Sequence, residues 1–543
     1  MKIKIKNGIG IVLYLLAGIR LGIALFFSSV TAVWFDEIYS LVFAFRPVRE
    51  LISLTAKDVH PPLYYIILRA FLLLFDKIFP IMKSEQVGKI VTIIPFFLIL
   101  IYAITIVRKQ YGFFVSALFF FCVCSMPQDN LNDIRMYSWA LLFITGLGLH
   151  FCDVITAFFN NKNSILKNYI FILLYSVAAL YTHYFAAIAV FWIYVGALLI
   201  MVSVYIIFGK KEPENNWIRI AHMIKLIAIG VLAIVCYVPW ISVLLSQLGD
   251  VKESYWIEPI GPKALYNTVM HIIRAHYSNI IIGTILSLIF VTCMAILLYK
   301  EILKVKKGHL ESVYIIYLFS ILPLVALTGY IVSILMRPIF IDRYLLPSIG
   351  LFWLSISIII GNYFNESLDF EPKINYKLCI LCYLLIFMLL NASVDLINTY
   401  NYESGIKNRE PEFVEMLSQI DENDVLITNL DHIQGVVSYL LNTDRRVKRQ
   451  GENNDPIADY KVYLYDSDEK LLLSEVLPGF CNIKCEDEIS DFINEGRKVL
   501  FLQYTFLEDA PKSMNELYNM DLNFDFIGSY LYENYYVHVY LVS

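Results

Sequence analysis

Long apolar runs separated by short polar turns fill roughly the first 400 residues of the chain. A helix needs about 20 apolar residues to cross a hydrocarbon core of about 30 Å. Such runs lie near 9–30, 89–107, 112–127, 135–157, 168–184, 186–207, 221–245, 279–299, 311–335, 341–361 and 376–397, which predicts about eleven transmembrane helices. A further run, "PPLYYIILRAFLLLF" at 61–75, breaks the pattern: it is short, and Arg69 would sit near mid-membrane if it spanned. An Arg at the centre of a span costs at least about 2.5 kcal/mol on insertion scales. This segment is therefore expected to lie along the membrane interface, where Arg69 stays wet.

Leaving that segment out gives a consistent distribution of cations. One face then collects Lys2, Lys4, Lys6, Arg108, Lys109, Lys162, Lys167, Lys210, Lys211, Arg219, Lys300, Lys304, Lys306, Lys307, Lys373 and Lys377. Cationic loops mark the cytoplasmic side, so the N-terminus is expected inside and the tail outside. The lysines ahead of the first run are followed by no small-residue cleavage site, which favours a retained first helix over a signal peptide. The outer side holds a long first loop, 31–88, and shorter loops near 128–134, 246–278 and 336–341.

The pattern changes after residue 397. "EPEFVEMLSQI" has the spacing of an amphipathic helix, and "DVLITN", "KVYLYD", "KVLFLQY" and "YYVHVYLV" read as short strands. The expected organisation is a polytopic α-helical membrane part, 1–397, followed by a small extracytoplasmic α/β domain, 398–543.

Composition agrees with the pattern. The chain is 58% hydrophobic and 17% charged, with mean hydropathy +0.62, where soluble domains carry about a quarter charged residues. A net charge of −5 offers no signal for nucleic acid. The cysteines fall mostly in apolar runs, as small membrane hydrophobes. Only Cys481 and Cys485 lie outside them; a disulfide there is open in an oxidising compartment, and plain loop composition is the simpler reading.

Polar residues rare in such a chain gather on the expected outer face. "AVWFDEIYS" (32–40) supplies Asp36 and Glu37, and "KDVHPPLYY" (57–65) supplies Asp58 and His60. "QDNLNDIRMYSW" (128–139) supplies Asp129, Asp133, Arg135 and Tyr137; "LYTHYFAA" (180–187) supplies His183; "MRPIFIDRYLLP" (336–347) supplies Arg337, Asp342, Arg343 and Tyr344. Each has a structural alternative. Acidic residues suit a helix start, Asp58 precedes prolines that favour a first turn, His183 sits among belt aromatics, and Arg135 or Arg343 can snorkel to headgroups. All of them nevertheless fall on one side under a topology derived from other residues, and ionisable groups that share a cavity at a membrane face point to function.

These segments, in this order, resemble the integral-membrane glycosyltransferases of the GT-C class, in particular bacterial members of glycosyltransferase family 39 and the Rgt-like transferases, with the protein O-mannosyltransferases and the lipid A aminoarabinose transferase as more distant kin. "WFDE" followed by "DVHPPLYY", then "NDIRMYSW", "YTHYF" and "DRYLLP", is similar to the family's acidic, Arg-x-Tyr, His-Tyr-Phe and Arg-Tyr-Leu-Leu-Pro segments over roughly residues 8–361. Asp133 stands where the family more often has Glu, so its reach is one methylene shorter. The C-terminal part resembles no nameable domain, and by its position it is expected to help select the acceptor.

The resemblance implies a GT-C fold with juxtamembrane helices in the first outer loop. It also implies transfer of a sugar from a polyprenyl-phosphate donor to an acceptor hydroxyl on a cell-envelope glycan, lipid or protein, at the outer face of the cell membrane. By that likeness Asp36 is the general base and Glu37 orients Asp36 or the acceptor. Arg343 with Tyr344 holds the donor phosphate, and Arg135 pairs with Asp133 or also contacts it. Asp58, His60, Asp133 and His183 either support these groups or hold a divalent metal ion, since oxygen and imidazole ligands suit several such ions. A transporter or flippase would show inverted repeats and broken mid-membrane helices, and an O-antigen-type ligase a large late outer loop; none of these features is evident in the sequence.

Overall fold

The computed structural model describes residues 2–29, 33–126, 131–163, 165–208, 216–253, 257, 259–273, 279–367, 376–443, 458–466, 472–532 and 535–543. Asp129, Lys210, Lys211 and Lys373 lie outside the described residues. In chain order the helices are α1 (Lys2–Phe27), α2 (Phe35–Phe45), α3 (Val48–Lys57), α4 (Leu63–Ile78), α5 (Ser84–Tyr102), α6 (Arg108–Tyr111), α7 (Phe113–Ser125), α8 (Tyr137–Phe159), α9 (Leu166–Leu180), α10 (Tyr184–Phe208), α11 (Asn216–Glu253), α12 (Ala264–Ile273), α13 (Ile280–Lys306), α14 (Leu310–Leu335), α15 (Leu346–Ser367) and α16 (Tyr376–Leu417).

All eleven expected spans are helical, and nine helices among the described residues are long and apolar enough to cross a membrane. The other two, α7 and α9, have 13 and 15 residues, and 13 residues rise only about 20 Å. For α7 the reason lies in its surroundings: every residue from Phe114 to Ser125 is buried, packed against α1 and α15, so the helix has no lipid-facing length to match.

The loop after α1, expected on the outer side, folds into α2, α3 and α4, and α4 is not among the helices long enough to span. Arg69 departs from expectation. It is buried, not wet: Nη1 donates to the carbonyls of Ala44 (3.1 Å) and Phe45 (2.8 Å) at the C-terminal end of α2. Those carbonyls have no partner within their helix, and a cation there also meets the negative end of the helix dipole. Arg69→Leu would strand both acceptors in the interior at about 1–3 kcal/mol each. A clear loss of thermal stability in detergent is expected, with Arg69→Lys in between.

α16 runs unbroken across residue 397 and carries the chain into the tail. There β1 (Val425–Thr428), β2 (Val462–Tyr465), β3 (Phe480–Ile483), β4 (Val499–Thr505), β5 (Phe524–Tyr532) and β6 (Tyr535–Val542) form one sheet in the order β3-β2-β1-β4-β6-β5. The first four are parallel, and β6 and β5 close the edge antiparallel. The four expected strands are β1, β2, β4 and β6; β3 and β5 were not legible, β3 because its residues FCNI carry one β-branched side chain and only Ile483 is buried. Cys481 and Cys485 are free thiols.

The tail is clamped on the loop that follows α1. α17 (Asp431–Asn442) packs on α2, where His432 stacks on Phe35 with ring centroids 4.1 Å apart. The approach requires a glycine, since a Cβ on Gly435 would come within 2.7 Å of the Phe35 ring. Tyr532 Oη donates to Val33 O (2.7 Å), Arg46 Nη2 to Val476 O (2.6 Å), and Lys57 pairs with Glu475 (2.6 Å). The residue next to Asp36 is thus held by the tail.

Candidate active site at the outer ends of the helices

α2 begins at Phe35 because Glu37, in its first turn, folds back: Oε2 accepts the Trp34 N–H at 3.0 Å. Its other oxygen, Oε1, accepts the Ile134 N–H at 2.7 Å. One buried carboxylate therefore fixes both the turn that bears Asp36 and the loop that bears Arg135. Burial pushes the Glu37 carboxyl up, while Lys89 and the two amides pull it back. Glu37 points away from the cleft, so its influence on Asp36 passes through the backbone.

Asp36, one residue earlier on the helix, faces out. Its Oδ2 lies 3.7 Å from Arg135 Nη2 and 3.5 Å from Arg343 Nη2. These are charge contacts longer than ordinary hydrogen bonds, so the carboxylate keeps lone pairs for another partner. Arg135 Nη1 also donates to the Asp36 carbonyl at 3.0 Å. Arg343 reaches in from the 3₁₀ turn Asp342–Leu345 with its guanidinium 5.9 Å from the centre of the Trp34 ring. Asp342 holds that turn from behind by accepting from the Thr268 hydroxyl of α12, which in turn meets Tyr330 Oη at 2.5 Å.

Beside these residues opens a cleft with about 570 Å³ of empty space, part of it open to solvent. Arg135, Arg343, Asp133, Tyr137 and Ser138 form its polar wall; Trp34, Phe96, Leu131, Leu141 and Leu346 form the apolar one. Four buried polar atoms at the cleft have no hydrogen-bond partner: Nε of Arg135, Nε of Arg343, Tyr137 Oη and Ser138 Oγ. All four can donate. Donors with no protein acceptor, beside two guanidiniums, make a place for an anion.

Asp58 and His60 form a pair at 3.2 Å at the same end of the helices. Burial raises the Asp58 carboxyl, but the hydrogen bond and charge of His60 outweigh it and the net displacement is downward. His183 is buried among the rings of Tyr344 (5.0 Å), Tyr137 (5.4 Å) and His60 (6.0 Å), and its Nδ1 accepts the Phe185 N–H at 3.1 Å. Burial, with the charges of His60, Arg135 and Arg343, depresses the His183 imidazole well below the ordinary value. A histidine depressed in the folded state binds fewer protons there than when unfolded, so its stabilising effect is lost as pH falls below about 6.5. Thermal stability in detergent should decline below that pH in the wild type and less steeply in His183→Gln; identical profiles would remove His183 as the cause.

All nine singled-out residues lie on this side of the helices. Asp36, Arg135 and Arg343 converge, with Asp133 in the same wall; Tyr344, His183, Asp58 and His60 lie in the adjoining layer, and Glu37 is the internal brace. For the metal reading, His60 Nδ1 is engaged by Asp58 and His183 Nδ1 by a backbone amide. Among the described residues no three His, Cys, Asp or Glu side chains are grouped to hold an ion. Trp34 and Ser138 were missed by sequence reasoning, although both fall inside the segments "WFDE" and "IRMYSW" and could have been found by adjacency.

Over 97% of both chains the structure superposes on that of ArnT from Cupriavidus metallidurans bound to undecaprenyl phosphate, at TM-score 0.53 and 8% sequence identity. The chain has the GT-C fold. The apo form of the same ArnT is also similar over 97% of both chains, at TM-score 0.49 and 10% identity. No family model and no curated protein sequence matches the chain. At 8% identity the likeness is one of architecture: a GT-C helical bundle with a small β-sheet domain at its C-terminal end.

Proposed function

We propose that this protein is a membrane glycosyltransferase that takes its sugar from a polyprenyl-phosphate donor and passes it to an acceptor hydroxyl, inverting the anomeric centre. The single observation that carries the reading is the placement of Asp36 between Arg135 and Arg343 at the mouth of a cleft with one apolar wall. The GT-C fold supports it, as does the undecaprenyl phosphate bound by the ArnT of that fold.

The chemistry follows from the groups present. A hydroxyl is a poor nucleophile, so a positioned carboxylate, Asp36, accepts its proton as the oxygen attacks the anomeric carbon. The bond from that carbon to the phosphate oxygen breaks with its electron pair, and polyprenyl phosphate leaves. The charge gathering on that leaving group is met by Arg135 and Arg343, aided by Tyr137 and Ser138; Arg offers a fork that a phosphate can accept twice. As the guanidiniums turn to phosphate, the Asp36 carboxylate is left free to meet the acceptor hydroxyl. One displacement with one base inverts the centre, as in the corresponding glycosidases. The apolar wall takes the first isoprene units, and the tail, stacked on Phe35, borders the side from which the acceptor enters. No step is routed through a metal ion.

The orientation that goes with this reading puts the N-terminus in the cytoplasm, the chain in the cell membrane, and the tail outside. To test the donor, lipids that co-purify with the wild type in mild detergent are extracted and analysed by mass spectrometry. Polyprenyl phosphate or its glycoside is expected; bulk phospholipid alone would count against the reading. A flippase or a ligase using lipid diphosphates would carry a diphosphate lipid instead.

A further inference from the structure

The end of the bundle opposite the Asp36 cleft carries a second cavity. α5 carries Glu85, which accepts from Tyr439 Oη of the tail, in its first turn, passes Phe96 in the cleft, and runs into a π-turn, Ala103–Val107, followed by α6. Between this stretch and the facing ends of α8 and α9 lies a groove with about 1490 Å³ of empty space.

Its floor is a fixed polar chain. Tyr102 Oη lies 2.6 Å from Tyr175 Oη and 3.1 Å from His150 Nε2, and His150 Nδ1 lies 3.0 Å from Asn168 Oδ1. To one side Gln110 Nε2 donates to Asp153 Oδ1 at 2.6 Å. Lys109 and Lys167 are exposed at the mouth, both near enough to act on the Asp153 charge. The remaining wall is apolar and outward-facing, with Ile101 57% and Ile165 71% exposed.

The backbone is shaped for this groove. The π-turn places Thr105 and Ile106 in the wall, and its carbonyl at Ala103 takes both the Arg108 N–H and the Ser116 hydroxyl (2.5 Å). Such turns interrupt good helical hydrogen bonding and concentrate at functional sites. Gly146 lets the Tyr175 ring pack flat on α8, where a Cβ would come within 2.6 Å of it.

We propose that this groove is a binding site for an aminophospholipid. The phosphate lies between Lys109 and Lys167, the ammonium on Asp153, and the acyl chains along Ile101, Ile165 and Phe171. Two lysines alone would accept any lipid phosphate. A part-buried carboxylate between them selects a headgroup that brings its own cation, because a purely anionic head would meet like charge there. A quaternary ammonium has no N–H to donate to Asp153, so choline heads bind less well. The site is independent of the chemistry assigned to the Asp36 cleft.

The test uses the purified full-length protein, delipidated in mild detergent, with mixed micelles of phosphatidylethanolamine, phosphatidylglycerol or phosphatidylcholine. Melting temperature and native mass spectrometry are the readouts. Phosphatidylethanolamine should raise the melting temperature most and remain bound at one copy. Lys109→Ala/Lys167→Ala should weaken that binding at least tenfold, and Asp153→Asn should abolish the preference for ethanolamine over glycerol heads. Equal shifts with all three lipids, a larger shift with phosphatidylglycerol, or an unchanged double-lysine variant would each overturn the proposal. The two lysines are exposed, so that variant folds and decides the matter even where Asp153→Asn does not.

Discussion

Asp36→Asn should leave the protein folded and able to bind donor, yet cut sugar transfer by about 10²–10⁴-fold, the range a positioned general base contributes. Asn keeps the shape of Asp, and the carboxyl oxygens make only long contacts of 3.5 and 3.7 Å, so little structure depends on them. Loss of the negative charge also removes a competitor for Arg135 and Arg343, so donor affinity should hold or rise. The glycosylated polyprenyl phosphate should then accumulate on the variant while the wild type carries spent polyprenyl phosphate, a difference that mass spectrometry of co-purified lipid reads directly. Turnover by Asp36→Asn at the wild-type rate, or identical lipids on both proteins, would sink the base assignment.

The second large effect is expected at Arg343. Its Nε is buried without a partner and its Nη2 reaches the Asp36 carboxylate, so it has donors to give to a phosphate. A hydrogen bond to a charged group is worth about 1.5–3 kcal/mol, so Arg343→Ala should weaken polyprenyl-phosphate binding about 10- to 150-fold. Arg343→Lys keeps the charge but loses the fork, and should fall between. The variant should fold, because the 3₁₀ turn is anchored separately through Asp342 and Thr268. Titration with polyprenyl phosphate checks this, and equal affinity for wild type and Arg343→Ala would transfer the role to Arg135 alone.

The two effects differ in kind. Removal of the base should depress turnover with binding intact, whereas removal of the cation should depress binding first. A chain that used this cleft only to carry lipid would lose affinity with Arg343 but be indifferent to the amide at Asp36.

Much of this arrangement was legible along the chain. Runs of about 20 apolar residues have one low-energy home, so the spans, their order and the gathering of the polar segments at the span ends follow from solvation. The strands of the tail at 425–428 and 499–505 were readable for a similar reason: every residue of the first, and the first five of the second, are buried in a parallel sheet, which leaves near-continuous apolar runs. Asp36 and Arg343 stood out because charges are costly at membrane ends unless something uses them.

What the sequence could not express is direction and distance. Asp36 and Glu37 are neighbours of the same charge, yet one meets the two arginines that line the cleft and the other is a buried brace between residues 34 and 134; only the rotation of α2 against its surroundings separates them. Arg69 reads as a charge in need of water, but the fold supplies two helix-end carbonyls 24 and 25 residues earlier in the chain and the water is not needed. The stacking of His432 on Phe35 joins residues almost 400 positions apart, a contact no local pattern encodes. The sequence by itself determined which segments can enter the membrane and which polar groups stay at their ends, because transfer free energies are local and additive. Only the tertiary structure decided which carboxylate is free to react and which arginines flank it, because burial and partner geometry depend on every helix at once.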